Sequence, residues 1–339
     1  MSTYMAKEIK EIPEVIAKQG ESNAPMLIKL AEFLRKTPPT GITLLGRGSS
    51  KNACYYAKYI FETALNIPVS MASPSIASVY DRTLKFDNQL LFVCSQSGAS
   101  PDLIKYTENA KAGGATIIAL VNDETSPIAK LADFLFGLKA GKEHSVAATK
   151  SYIATLYAFA SIYAMFCGKN DLADELYHLP EVMDQVVNST WDEFAEAMLT
   201  TDNLFCLGRS YNYSTAREIS LKFNETCQVF AKDYSASEFF HGPLALIERG
   251  IPILHFLMND ETHKVSLETN EKLIDLGANV YTVDSKAFDE KTLIVPTSSP
   301  IIQPLIQTTV MYSIIEQISI KKGLNPDTPP FLNKVTKTV

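Results

Sequence analysis

The feature that most constrains this chain is an alternation of short apolar runs with segments of helical length. Runs typical of buried strands lie at 42–46, 90–95, 116–121 and 134–139, and each is bounded by turn residues. Helical segments separate the runs, and Ser-Pro pairs start two of them. Because parallel strands need crossover connections, the alternation predicts an α/β fold with a parallel sheet between helices.

The same pattern occurs a second time. Further strand-like runs lie at 203–208, 252–257, 279–283 and 292–296. The tripeptide Leu-Gly-Arg begins at Leu45 and again at Leu207, each time where a strand-like run meets a helical segment. We therefore expect two tandem copies of one flavodoxin-like, three-layer αβα domain.

The organisation along the chain follows from these patterns. We expect an N-terminal helical segment at 1–40, domains at 41–167 and 201–324, a helical connector at 168–200 and a tail at 325–339. The connector is polar and acidic, and only Pro180 interrupts its helical spacing. The longest apolar segment, Tyr152–Cys167, carries Thr and Ser within its 16 residues and is predicted to be a buried helix rather than a membrane span.

Composition excludes several classes of function. The chain has 38 acidic and 31 basic residues and no basic block, which argues against nucleic acid as a partner. Its five cysteines form no CxxC pair, and the N-terminus lacks the apolar stretch of a signal peptide. We expect a cytoplasmic protein with reduced thiols and no membrane partner. The remaining histidines besides His241 show no metal-ligand spacing: His144, His178, His255 and His263.

Two turns carry small, hydroxyl-bearing residues. Gly46–Ser50 follows the first strand-like run and Ser95–Ser100 follows the second. Carboxyl ends of parallel strands collect ligands, and such turns can wrap closely around phosphate oxygens. Neither turn fits a P-loop, a dinucleotide fingerprint or a nucleophile elbow. Either turn alone could be an ordinary turn with a serine N-cap, but two on successive strands favour a phosphate site.

A second polar cluster lies in the other half of the chain. Glu218, Lys222 and Glu225 are spaced i, i+4 and i+7 and share one helix face. In an isolated helix this face would ordinarily be solvated. His241 precedes Gly and Pro, so we expect it in a turn, where an exposed imidazole is available for proton transfer.

Five motifs together resemble a known family. They are GRGSSKN, SQSGASPD, VAATKSY, the stretch LKFNETCQVFAKDYSASEFFHGPLALIE and the tail LNKVTKTV. Over nearly its whole length the sequence resembles double sugar isomerase (SIS) domain proteins, including the isomerase half of glucosamine-6-phosphate synthases and the SIS-type glucosamine-6-phosphate deaminases. The resemblance implies two tandem SIS domains.

The resemblance also implies roles for single residues. Those implied to bind the phosphate and hydroxyls of an open-chain hexose 6-phosphate are Ser50, Ser95, Gln96, Ser97 and Ser100, with Ser49 and Val146 lining the same pocket. Glu225 matches the base that moves a proton between C1 and C2, and Lys222 its electrostatic helper. His241 matches the ring-opening histidine, which reaches a neighbouring subunit's site and so implies a homodimer. Lys334, otherwise a solvated tail charge, matches a lysine that forms a Schiff base. No cofactor or metal is implied.

Departures from the family indicate the reaction. The chain starts Met1-Ser2-Thr3 without the synthase's glutaminase domain, so we expect no internal ammonia source. This favours a deaminase that converts glucosamine 6-phosphate and water to fructose 6-phosphate and ammonia. The alternatives are a fructosamine-6-phosphate deglycase, disfavoured by Gln96 where those members tend to have His, and a phosphosugar isomerase or aminotransferase-like enzyme. A non-catalytic sugar-phosphate sensor would lack a use for Glu225, His241 and Lys334 together.

Overall fold

The computed structural model describes residues 2–334, so the last part of the LNKVTKTV motif, 335–339, lies outside the described residues. The strands are β1 (Gly41–Leu45), β2 (Val69–Met71), β3 (Gln89–Ser95), β4 (Thr116–Val121), β5 (Phe134–Gly137), β6 (Asn203–Gly208), β7 (Phe230–Ser235), β8 (Ile253–Phe256), β9 (Val280–Asp284) and β10 (Thr292–Ile294). The α-helices are α1 (Tyr4–Lys10), α2 (Ile12–Lys36), α3 (Gly48–Leu65), α4 (Ser75–Ser78), α5 (Pro101–Ala112), α6 (Pro127–Leu131), α7 (Lys150–Cys167), α8 (Asn170–Val186), α9 (Asp192–Leu199), α10 (Asn212–Thr226), α11 (His263–Asp275) and α12 (Gln303–Lys321). Two 3-10 helices, Glu238–Phe240 and Pro243–Arg249, follow β7.

The strands form two parallel sheets in two compact units. The first-sheet unit comprises 11–143, 150–180 and the stretch from Leu332, and its strand order is β2-β1-β3-β4-β5. The second-sheet unit comprises 2–10, 144–149 and 181–331, and its order is β10-β9-β8-β6-β7. Counted within each half, both orders read 2-1-3-4-5, the flavodoxin-like order. The predicted fold of two repeated α/β domains is confirmed.

Burial on both faces explains why the strands read as continuous apolar runs. In the first-sheet unit Leu91 and Val93 of β3 lie in one apolar cluster with Ile117 of β4. In the second-sheet unit Leu207 of β6 packs in a cluster with Ile253 of β8. Because helices cover both faces of a parallel sheet, most positions of a central strand are apolar, and the continuous apolar runs identify these strands.

Each sheet has one strand more than the sequence pattern predicts. The additional strands, β2 and β7, both lie at a sheet edge. β2 has only three residues, and β7 contains Lys232 and Asp233 in its middle. Edge strands tolerate charge and short length because one of their sides has no strand partner, so neither carries the apolar run used to find the others.

The helix predictions are confirmed, with one correction. The apolar segment Tyr152–Cys167 falls in α7, most of whose residues are buried. Among residues 2–334 we find no helix that combines the length and the apolar character needed to cross a bilayer. Pro180 does not interrupt the connector, because α8 runs through it from Asn170 to Val186. The missing proline N–H removes one hydrogen bond, which the rest of the helix tolerates.

All five cysteines are free thiols, as predicted. Burial raises the pKa of Cys94 and of Cys206 well above the ordinary thiol value, and it raises the pKa of Cys227 to about 12. A thiol must ionise to act as a nucleophile, so these three side chains serve as small apolar groups of the core.

A buried histidine in the second-sheet unit makes stability depend on pH. His255 on β8 is fully buried, and its Nδ1 lies 2.6 Å from Oδ1 of Asn270, whose amide donates to Thr282. Burial lowers the pKa of His255 to about 4, while Asn270 and Asp284 oppose the shift. The unfolded chain, with an ordinary histidine pKa, therefore binds the proton more readily than the folded chain as pH falls.

We expect the free energy of unfolding to be unaffected by His255 above about pH 6.5 and to fall by up to about 3 kcal/mol as pH drops towards 4. Urea unfolding at a series of pH values measures this slope. His255→Gln, which removes the titrating group, should flatten the acid limb, whereas His178→Gln at an exposed position should leave it unchanged. Equal acid limbs in wild type and His255→Gln would contradict the prediction.

Candidate active site

The turn after β1 is shaped by two glycines. A Cβ on Gly46 would lie 2.8 Å from the carbonyl carbon of Ser50, so only glycine allows the strand to meet α3 this closely. Gly48 has φ +52°, in the left-handed region that favours glycine. The turn places Ser49 and Ser50 in the first turn of α3, where both side chains are partly buried.

The turn after β3 lies beside it. β1 and β3 pair in parallel, with Leu45 opposite Val93, at the point where the strand order reverses. Open α/β sheets bind ligands at the carboxyl ends of strands at such a reversal. The predicted phosphate turns are therefore neighbours at the carboxyl ends of β1 and β3, where an anion site is expected.

Hydrogen bonds within the second turn fix its shape. Ser95 is buried, and its Oγ accepts the N–H of Gly98 at 3.0 Å. Gly98 has φ +61°, and a Cβ there would lie 2.0 Å from Oγ of Ser126. Ser100 occupies the N-cap position of α5 in extended conformation, and its hydroxyl makes no capping hydrogen bond to the described helix. Gln96 and Ser97 are partly buried. The turn is rigid and keeps several hydroxyls near α5.

Lys334 belongs to the same unit as these turns. Its Nζ lies 2.7 Å from Oε2 of Glu143, a carboxylate whose side chain is fully buried. The Oγ of Ser151 donates to the same oxygen of Glu143 at 2.8 Å. The interpretation of Lys334 as a solvated tail charge is therefore wrong. The amine is held by a carboxylate in the described conformation and must leave it and lose a proton before it can act as a nucleophile.

The polar face of α10 is buried, contrary to the solvated alternative. Lys222 and Glu218 are both fully buried, and Nζ of Lys222 lies 3.5 Å from Oε1 of Glu218 and 2.5 Å from Oε2 of Glu225. Tyr312 on α12 donates to Glu218 at 2.9 Å. Glu225 retains 20% exposure of its side chain. Glu218, Lys222 and Glu225 form what we call the charge triad, in which Glu225 is the member open to solvent.

The other two predicted site residues belong to the second-sheet unit together with the charge triad. His241 is exposed and lies in the turn that ends the first 3-10 helix, as its HGP sequence predicts. Val146 is partly buried, and its N–H donates to the carbonyl of Asp327 at 3.0 Å, so the N–H is already used within the fold.

Sequence reasoning missed three side chains that bind charged groups of the predicted motifs. Glu143 holds Lys334, Tyr312 holds Glu218, and Asp102 binds Arg47 in the turn after β1. Asp102 stands inside the SQSGASPD motif, next to a proline that starts a helix, so an acidic residue at a helix N-terminus was a visible signal. Glu143 and Tyr312 are far from their partners in sequence and carried no such signal.

Comparison with known proteins decides the family. Two stretches, residues 38–165 and 198–317, match the model of the SIS domain. The chain belongs to the SIS domain family. The SIS protein is 30% identical over 348 residues to glutamine–fructose-6-phosphate aminotransferase (isomerizing) of Methanothermobacter thermautotrophicus. This match covers 98% of the SIS protein but only 57% of that relative, so the chain spans little more than half the length of the aminotransferase.

Solved structures give the same family. The SIS protein superimposes with a TM-score of 0.90 and 33% identity on a protein of Silicibacter pomeroyi DSS-3 provisionally assigned as a phosphosugar isomerase, covering 96% of our chain and 100% of that one. Glucosamine-6-phosphate deaminase of Thermotoga maritima gives a TM-score of 0.79 at 21% identity, with 99% and 100% coverage. At that identity the second likeness extends to the fold alone.

Proposed function

We propose that this protein is a phosphosugar isomerase of the SIS type, and that it deaminates glucosamine 6-phosphate to fructose 6-phosphate and ammonia. The charge triad is the observation that carries the proposal. A carboxylate that is open to solvent and held by a buried ammonium can take up and return a proton without moving. Such a group suits aldose–ketose interconversion, in which one proton moves between neighbouring carbons.

In the proposed reaction the pyranose opens and Glu225 moves the proton from C2 to C1. The sugar then carries an imine at C2, which adds water and releases ammonia, leaving fructose 6-phosphate. Lys222 stabilises the negative charge on Glu225 when it is ionised. His241 opens the ring. Lys334, once released from Glu143 and deprotonated, would condense with the C2 ketone of the product to hold it as an imine, releasing one water, and hydrolysis of that imine would free the product.

The serines and Gln96 at the ends of β1 and β3 are proposed to bind the phosphate and the hydroxyls of the open-chain sugar. Ser49 and Val146 are proposed to contribute to substrate binding as well. The turns supply hydroxyl, amide and backbone N–H donors next to the N-terminus of α5, which suits an anion. We further propose a cytoplasmic homodimer in which His241 serves the site of the partner.

Nitrogen chemistry is favoured over plain isomerisation by one observation. The Methanothermobacter relative, 30% identical to this chain, is named as an aminotransferase of fructose 6-phosphate. Gln96 in the second turn separately favours glucosamine 6-phosphate over a fructosamine 6-phosphate, since fructosamine-6-phosphate deglycases of this fold tend to have histidine there. The second candidate is the reverse reaction, amination of fructose 6-phosphate, which the same residues would catalyse.

Incubating the purified protein with glucosamine 6-phosphate tests the proposal. We expect ammonia and fructose 6-phosphate in equal amounts, measured by coupled enzymatic assays. Parallel reactions with glucose 6-phosphate and with a fructosamine 6-phosphate distinguish plain isomerisation and deglycation. Fructose 6-phosphate supplied with ammonia tests the reverse direction. Absence of ammonia from glucosamine 6-phosphate, with turnover of one of the other substrates, would refute deamination and leave the isomerase assignment.

A further inference from the structure

Arg47 carries the only charge in the two phosphate turns. The turns read Gly-Arg-Gly-Ser-Ser at 46–50 and Ser-Gln-Ser-Gly-Ala-Ser at 95–100. A sugar phosphate brings about two negative charges, and the hydroxyl and amide donors of these turns are neutral. Which group the guanidinium of Arg47 binds therefore affects the affinity for phosphate.

The guanidinium is committed to a buried carboxylate. Nε and Nη2 of Arg47 lie 2.9 and 2.6 Å from Oδ2 of Asp102. The side chain of Asp102 is fully buried, whereas that of Arg47 is 44% exposed. Oδ1 of Asp102 accepts the N–H of Leu103 at 2.9 Å. The ion pair thus connects the turn after β1 to the first turn of α5, directly beyond the turn after β3.

The position of Asp102 makes its charge unfavourable for a phosphate ligand. It is the second residue of α5, so its carboxylate already uses the positive end of the helix dipole. A phosphate bound by the adjacent hydroxyls would meet this negative charge at short range. Arg47 neutralises the carboxylate through two donors on one oxygen.

We propose that Arg47 is a positioning residue for the phosphate, acting through Asp102 rather than by contact with the phosphate oxygens. The inference rests on the proposed function for the location of the phosphate. Without Arg47 the buried carboxylate of Asp102 repels the ligand. Removing both charges together removes the repulsion.

A double-mutant comparison tests this role. Isothermal titration with inorganic phosphate and with glucosamine 6-phosphate should give a dissociation constant about tenfold higher or more for Arg47→Ala, and recovery to within about threefold of wild type for Arg47→Ala/Asp102→Asn. In steady-state kinetics the same pattern should appear in KM, with kcat changed by less than about twofold. Lys105→Ala removes an exposed positive charge from the same helix and should leave both constants unchanged.

Other results would overturn the role. A double mutant that stays as weak as Arg47→Ala would mean that Arg47 contacts the phosphate directly. Wild-type affinity in Arg47→Ala, or no phosphate binding by wild type, would also refute it. If Arg47→Ala fails to fold, Asp102→Asn decides instead, since it should bind phosphate as tightly as wild type or more tightly, and weaker binding contradicts the proposal.

The test of Arg47 can succeed or fail independently of the test of the proposed function. Titration with inorganic phosphate requires no turnover. If wild type produces no ammonia but the phosphate series gives the expected pattern, the deaminase proposal fails and the role of Arg47 stands. If ammonia forms and the series does not give the pattern, only the role of Arg47 fails.

Discussion

Replacement of Glu225 by Gln should lower the turnover of glucosamine 6-phosphate by roughly 10²–10⁴-fold with little change in KM. Gln has nearly the shape of Glu but cannot exchange a proton between C1 and C2. Because Glu225 is partly exposed and Lys222 keeps Glu218 as a second partner, the fold should survive the change. Steady-state assays of fructose 6-phosphate formation measure the loss, and thermal unfolding checks the fold.

The matched control for this change is Glu248→Gln, an exposed glutamate of the second 3-10 helix. It should retain wild-type turnover. Full activity of Glu225→Gln would contradict the role of Glu225 as the proton-transfer group. Mixing inactive Glu225→Gln with inactive His241→Ala should restore part of the activity, since a mixed dimer then has one site with both groups. No restoration after subunit exchange would count against the contribution of His241 across an interface.

Replacement of Lys222 by Met should lower the free energy of unfolding by about 3–5 kcal/mol, because it leaves a buried carboxylate without its cation. Lys222 and Glu218 are both fully buried, and Glu218 retains its hydrogen bond from Tyr312. A hydroxyl donor does not neutralise a charge that has been taken out of water. Urea unfolding followed by circular dichroism measures the change.

Two further variants show whether the unpaired charge is the cause. Lys222→Met/Glu218→Gln removes the buried charge and should recover much of the lost stability. Lys264→Met breaks an exposed ion pair with Glu268 on α11 and should cost less than about 1 kcal/mol. If Lys222→Met proved as stable as Lys264→Met, the charge triad would not be the buried, interdependent cluster described above.

Local sequence pattern was sufficient for the central strands and for most helices, because a strand buried on both faces is apolar along most of its length. It was insufficient for β2 and β7, whose edge positions remove that requirement. For an isolated helix, local pattern also favoured a solvated face for Lys222 and Glu218, whereas both side chains are fully buried. Their spacing shows that they share a helix face, but only the packing of α12, which brings Tyr312 to Glu218, shows that the face is buried.

The candidate site shows the same difference between residues that local sequence predicts and partners that only the fold reveals. Motifs identified the two turns that we propose bind phosphate and the helix that carries Glu225, because each motif is contiguous in sequence. The groups that hold these residues come from distant parts of the chain: Glu143 lies 191 residues from Lys334, and Asp102 lies 55 from Arg47. Such pairings depend on the three-dimensional fold. Asp102 was visible as an acidic residue at a helix N-terminus, but its pairing with Arg47 could not be predicted from sequence spacing.

The two Leu-Gly-Arg turns share one backbone bend. A Cβ on Gly208 would lie 2.2 Å from the carbonyl oxygen of Asn212, matching the close approach at Gly46, and Ser210 has φ +55° where Gly48 has +52°. Asn212 occupies the position of Ser50 in this bend, and its amide donates to the carbonyl of Leu257. The same bend therefore presents a partly buried serine in the first-sheet unit and a fully buried asparagine that serves the fold in the second.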